Sequence, residues 1–362
     1  MGKTLQRKNY VIVFNASPES FADMLSFFDG DIQEAALRNP QWFGVLGNAV
    51  GVHTNFLNTD LSFTQYFGIN NGIFTFLASE EPVRPAVVHL LHFTKKEEIE
   101  SHRTLSGRFN GQKIKMVNPY NSGTSNCDSK FRMYRVLRDS GFPTPETRLI
   151  SRFTRNKTDS LKEIERELSG TAGTAGSTGS AGTELYLQPD RGTEGEDCFF
   201  LEYGEWENTA ALIDWGNRDF VVGRRAGDTL YKGDNLVFRI NVCHDGEAFR
   251  ADSGYCMTGG RVVSAEAGAR RININDVIAY LNLADEAVNT IRQACCEAVK
   301  AVFKKSKCPL LVGVDAVLEK QGAYFPLVID INVRPVVVGS RTIGENRVGL
   351  GERFWKGVTR LC

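Results

Sequence analysis

The chain has 362 residues, long for a single core and suited to two or three packed domains. At 42% hydrophobic and 24% charged residues, its composition is that of an ordinary globular protein. Lysine plus arginine and aspartate plus glutamate both number 43, so no basic surplus marks a general nucleic-acid binder. No apolar run approaches the roughly 18 residues that argue for a membrane-spanning helix.

The opening MGKTLQRKNYVIVF carries charges and a short apolar run, which predicts a strand over Tyr10–Phe14 rather than a leader segment. A helix is expected over 17–28, capped by Ser17 or Ser20. The mixed apolar stretch 41–56 has no clear period. Strands are expected at 72–78, 86–93 and 113–117, with a charge-rich helix at 94–105 and a break at Asn118-Pro119. Strands alternating with helices predict a mostly parallel sheet and an α/β unit over 1–117.

Beyond the break, 129–140 (SKFRMYRVLRDS) predicts a helix with Phe131, Tyr134 and Leu137 on its apolar face, ended by Gly141 and Pro143. A strand at Thr147–Ile150 and a charged helix at 159–168 follow. Segment 170–182, GTAGTAGSTGSAG, is too poor in apolar residues to pack a core; it reads as a flexible connection with the regularity of an engineered linker. Further strands are expected at 185–187, 198–203, 219–223, 236–243 and 255–261. The strongest helical period is at 284–304, through Ala287, Ile291, Ala294, Ala298, Val299 and Val302. Eight scattered cysteines without C-x-x-C, and histidines without metal spacing, argue for reduced thiols in a cytoplasmic setting and against structural zinc.

One stretch concentrates chemistry. Residues 311–332, LVGVDAVLEKQGAYFPLVIDIN, read as two apolar strands joined by a QGA turn. Asp330 and Asn332, two residues apart, share a face of the second strand, and closure around 321–324 sets Asp315 across from them within one register step. Two carboxylates and an amide oxygen suit a divalent cation such as Mg²⁺, which keeps positions for water and substrate phosphates. Pairing with lysine or arginine on an exposed face is the alternative.

Four features fall in a fixed order: Asp128-Ser129-Lys130 opening a helix that ends in GFPTP; a strand, glycine loop and strand in ELYLQPDRGTEGEDCFFLE; Arg239 in LVFRINVCHDG; and VGVDAV followed by IDINVRP. This order resembles the ATP-grasp superfamily of carboxylate–amine ligases over about 118–340, and within it the peptide ligases of natural-product pathways. The resemblance implies an α/β (α+β) fold: an N-terminal domain at 1–117, a central subdomain carrying the phosphate lid at 118–220, and a C-terminal subdomain carrying the magnesium site at 221–362.

It also implies ATP and Mg²⁺ as cofactors and small-molecule carboxylate and amine substrates, with no nucleic acid or membrane partner; a homodimer is among the assemblies it allows. The reaction implied is amide bond formation through an acyl phosphate. An ATP-binding module of weak or no ligase activity, and a kinase on the same scaffold, are the alternatives. Carried over residue by residue, Lys130 meets phosphate as a point charge, and Gly192, Thr193 and Gly195 let backbone N–H groups close over the terminal phosphates. Val221, Val222 and Gly223 read the adenine edge through their backbone. Arg239 and Arg334 stabilise charge on the transferring group. Asp315, Asp330 and Asn332 hold the metal. The chain departs from the family pattern at Gln188, where a lysine is usual before proline; Arg191 is the nearby cation able to replace it.

Overall fold

The computed structural model describes residues 10–15, 49–70, 73–90, 96–170, 184–192, 195, 197–201, 204, 206–264, 267–321, 323–333 and 347–361. The helix expected at 17–28 and most of segment 170–182 lie outside them. Three sheets form among the described residues. None of their helices is long and apolar enough to cross a membrane.

The first sheet contains β1 (Tyr10–Phe14), β2 (Ala49–His53), β3 (Phe63–Asn70), β4 (Ile73–Val83), β5 (Val87–Leu90) and β6 (Lys115–Val117), in the order β4-β3-β2-β1-β5-β6. Strands β2, β1, β5 and β6 run parallel, as the alternating pattern predicts. The β2-β3-β4 edge is antiparallel instead, because short connections fold those strands back on one another. Strand β1 is buried on both faces. Val11 and Val13 pack with Leu105 and Phe109 of α1 (Lys96–Gly111), while Tyr10, Ile12 and Phe14 face Leu310, Leu311, Phe354 and Trp355.

After a short helix α2 (Ser122–Cys127), α3 (Lys130–Asp139) starts at its N-cap Ser129, whose hydroxyl accepts the Arg132 N–H at 3.2 Å. Met133, Tyr134 and Leu137 are its buried residues; Phe131 is only half-buried, so Met133 takes the place the periodicity gave to Phe131. The second sheet runs β7 (Thr147–Ile150), β10 (Phe220–Arg224), β8 (Leu185–Pro189), β9 (Phe199–Leu201), entirely antiparallel. Helices α4 (Lys157–Gly170) and α5 (Trp206–Leu212) cover one face through Leu161, Ile164, Leu168 and Ala210. The other face carries Tyr186 and Gln188.

The third sheet holds β11 (Leu230–Tyr231), β12 (Asp234–His244), β13 (Phe249–Gly259), β14 (Arg270–Ile272), β15 (Leu311–Gln321) and β16 (Ala323–Asn332). Helices α6 (Ile274–Leu281) and α7 (Asp285–Phe303), together with α3, bury one of its faces. The C-terminal helix α8 (Arg347–Leu361) packs Leu350, Phe354, Trp355 and Val358 against both the first and third sheets.

Asn118, just past β6, fastens the carboxyl end of the first sheet to the hairpin. Its amide N–H₂ donates to the Val333 carbonyl at 2.8 Å, and its carbonyl accepts the Leu310 N–H at 2.8 Å. The end of the hairpin bearing Asn332 is therefore held beside the ends of the parallel strands, where open α/β sheets form crevices.

Candidate active site

The hairpin closes in the expected register: Asp315 lies opposite Asp330, and Gly313 opposite Asn332. A bulge follows directly, since Ala316 pairs with Val328 and leaves Ile329 without a partner across the ladder. The freed Ile329 carbonyl accepts the Tyr134 hydroxyl at 2.8 Å. On the helix side, Val314, Ala316, Val328 and Ile331 are core. Asp315 instead shares its face with Val317, Leu327, Val237, Tyr255 and Met257, an apolar floor beside the acids.

Both carboxylates have cationic partners. Arg239 is the cross-strand neighbour of Asp315 and grips it with two hydrogen bonds, Nη2 to Oδ2 at 2.7 Å and Nε to Oδ1. Asp315 is 8% exposed. Burial pushes its pKa up and the Arg239 guanidinium opposes that rise, while Arg239 itself is held above its usual range against the cost of its own burial. Lys130, at the first position of α3, brings its Nζ to 3.6 Å from Asp330. Burial works against the Lys130 charge, yet the nearby Asp330 carboxylate holds its pKa above the ordinary value.

The opposite wall is neutral. Gln188 donates from Nε2 to the Tyr186 hydroxyl at 3.4 Å and accepts from the Cys198 thiol at 3.7 Å. The Tyr186 hydroxyl lies 3.4 Å from that of Tyr134, so the chain of polar groups reaches the bulge of the hairpin. Burial raises the pKa of Tyr134, Tyr186 and Cys198, keeping all three uncharged at neutral pH. Arg191 is exposed and makes no ion pair or hydrogen bond among the described residues.

Strand β10 does not offer an edge. It is interior, bonded to β7 on one side and β8 on the other, so the backbone groups expected to read an adenine are engaged in the sheet. Val222 is in the core, and Val221 lies beside Gln188 in the ladder. Gly223 has a packing reason: a Cβ there would sit 3.2 Å from the Tyr186 ring and 2.9 Å from Thr147. Gly195, at a φ of +81°, approaches the β13–β14 connection so closely that a Cβ would come within 2.5 Å of Val262. Gly192 lies against Pro189 at the root of this loop. Thr193 and Arg334 lie outside the described residues.

Among the described residues, no cluster of three or more His, Cys, Asp and Glu could hold a metal by itself. The donor set at the hairpin is two carboxylates and an amide, all hard oxygens on one face. Oxygen donors of this kind would suit Mg²⁺ with water and substrate oxygens completing the shell, with Asp330 able to turn from Lys130 while both Asp315 oxygens stay shared with Arg239.

Sequence reasoning missed Tyr186, Cys198 and the apolar floor, although the two-residue period that relates Tyr186 to Gln188 was available. It also missed Asp190, which reaches Ser129 at the start of α3 across 61 positions.

No protein-family model matches the sequence, and no curated protein matches it. Solved structures do. The VanG D-Ala:D-Ser ligase of Enterococcus faecalis superposes with a TM-score of 0.63 at 14% identity, covering 99% of this chain and 100% of the other. The D-alanine–D-alanine ligase of Coxiella burnetii gives 0.62 at 11%, covering 98% and 95%. The D-cycloserine synthetase DcsG gives 0.61 at 12%, covering 98% and 100%. Similarity over essentially the whole of each chain, with the three-sheet arrangement, establishes that this protein has the ATP-grasp fold.

Proposed function

We propose that the protein is an ATP-dependent carboxylate–amine ligase. The observation that carries this reading is the convergence of Lys130, Asp330, Asp315 and Arg239 at the start of α3 and on the third sheet, on the fold of enzymes named for joining amino acids. In this reading the chain divides at about 117 and 220, with Asp315, Asp330 and Asn332 as the metal ligands. Mg²⁺ bound there would neutralise phosphate charge and orient the polyphosphate.

The residues of the chain account for the remaining work. Lys130 has Asp330 as its present counter-ion and can exchange it for a phosphate oxygen. Arg239, rigid in its two-point grip on Asp315, presents a fixed positive charge to an acyl-phosphate oxygen. The floor of Val237, Met257, Val317 and Leu327 offers an apolar seat for the base, in place of the β10 backbone. The carboxylate of one substrate takes the terminal phosphoryl group, and the amine of the other then displaces phosphate. Positioning and charge neutralisation are sufficient for both steps, and no nucleophilic side chain is needed.

Gln188 favours a second reading, a nucleotide-binding module of low turnover, because its amide is committed to neutral partners where a cation would serve phosphate. Phosphate release from ATP, measured with pools of carboxylic acids and amines, separates the two. ADP, phosphate and an amide product support the ligase; tight ATP binding without turnover supports the module.

A further inference from the structure

Asp190 stands between Gln188 and the glycine loop and is buried. Its carboxylate accepts the Ser129 hydroxyl at 2.8 and 3.0 Å and the Phe131 N–H at 2.8 Å; its carbonyl accepts the Lys130 N–H at 3.0 Å. Its own N–H donates to the Asp219 carbonyl at 2.9 Å. A carboxylate is favoured at a helix N-terminus, where backbone N–H groups lack partners inside the helix. Yet α3 already has a cap in its own sequence, the Ser129 hydroxyl bonded to the Arg132 N–H. The Ser129 cap leaves the Lys130 and Phe131 N–H groups to Asp190, so the start of α3 is completed by a residue of the second sheet that also leads into the glycine loop.

Two consequences follow from these bonds. The N–H groups of Lys130 and Phe131 are satisfied within the protein, so an anion near α3 must be met by the Lys130 side chain. The root of the glycine loop is also tied to the backbone of Lys130, so neither can shift alone.

On the ligase reading, on which this inference rests, we propose that Asp190 is a positioning residue for the nucleotide phosphates, setting the distance between Lys130 and the loop of Arg191, Gly192 and Gly195. Arg191 follows at the root of the loop, exposed and with no ion pair among the described residues, one position from the Asp190 carbonyl that holds the Lys130 N–H.

Calorimetric titration with a non-hydrolysable ATP analogue and with adenosine tests this on the full chain. Asp190→Ala should weaken the analogue by about tenfold or more and adenosine by less than about twofold, since only the phosphates depend on the spacing. Asp190→Asn, which keeps one carbonyl acceptor, should recover part of the loss. Where Asp190→Ala does not fold, Ser129→Ala, which removes the hydroxyl from both carboxylate oxygens, should show the same selective loss in milder form. A folded Asp190→Ala protein that binds the analogue like wild type, or that loses both ligands equally, assigns Asp190 to helix capping alone and overturns the proposal. A wild-type protein that binds neither ligand overturns the ligase reading and this inference with it.

Discussion

On the third-sheet wall of the cleft, Asp315 lies against Arg239, and Asp330 against Lys130 from the helix below; on the second-sheet wall, Tyr186, Gln188 and Cys198 form a chain of uncharged hydrogen bonds. One wall is dense in charge that is already compensated, and the other is uncharged along Tyr186, Gln188 and Cys198, with Arg191 exposed beyond its strand. Buried charges persist only when paired, and this pairing also holds their geometry fixed. Neutral groups tolerate burial more easily, but they give a polyphosphate little to bind. The two walls thus divide the work: the charged wall is suited to holding the reacting groups, and the neutral wall to shaping the space around them. On the ligase reading, nucleotide affinity would rest on Lys130, which can exchange Asp330 for phosphate, and on the exposed Arg191.

The largest expected effect is on the charged wall. Asp330→Asn should lower Mg²⁺-dependent ATP turnover by about 100-fold or more, because a direct ligand matters at least as much as the outer-shell groups whose loss costs 10–100-fold. Stability should also fall, by about 1–3 kcal/mol, since Lys130, 16% exposed, loses its counter-ion although Asp330 itself is one-third exposed. Phosphate release followed across a Mg²⁺ titration checks this, and near-normal turnover at low Mg²⁺ would remove the hairpin from the reaction.

Next comes the buried pair. Arg239→Met leaves Asp315 without its partner and should destabilise the fold by about 3–5 kcal/mol in urea unfolding, with much of that regained in Arg239→Met/Asp315→Leu. Equal stability of single and double variants would show that the pair is not coupled.

On the neutral wall the contrast is sharper than the magnitude. Arg191→Ala should weaken ATP binding by about tenfold, the worth of one charge-assisted hydrogen bond, while Gln188→Ala costs about threefold or less. Gln188→Lys should leave ATP affinity level or raise it by up to about tenfold. If the lysine variant gains turnover that wild type lacks, the neutral wall is the mark of a binding module. If both alanine variants match wild type, the 184–201 segment does not meet phosphate.

The smallest effect belongs to the link between the walls. Tyr134→Phe removes the hydrogen bond to the Ile329 carbonyl and should cost about 1 kcal/mol of stability. A thermal scan with no shift would mean that the bulge stands without it.

The sequence alone determined what depends on near neighbours in the chain. The hairpin at 311–332, the shared face of Asp330 and Asn332, their opposition to Asp315, and the helix Asp285–Phe303 all follow from a period of two or 3.6 residues and a short turn. The order of motifs also pointed to the fold. Only the tertiary structure decided which charges meet, because Arg239 reaches Asp315 across 76 positions and Lys130 finds Asp330 from another element. It made β10 an interior strand rather than a hinge edge, placed the bulge at Ile329, and turned Asp190 into the start of α3. Period and propensity are set by residues a few positions apart, whereas partners for buried charges and orphan N–H groups are selected only when distant segments pack and water is excluded.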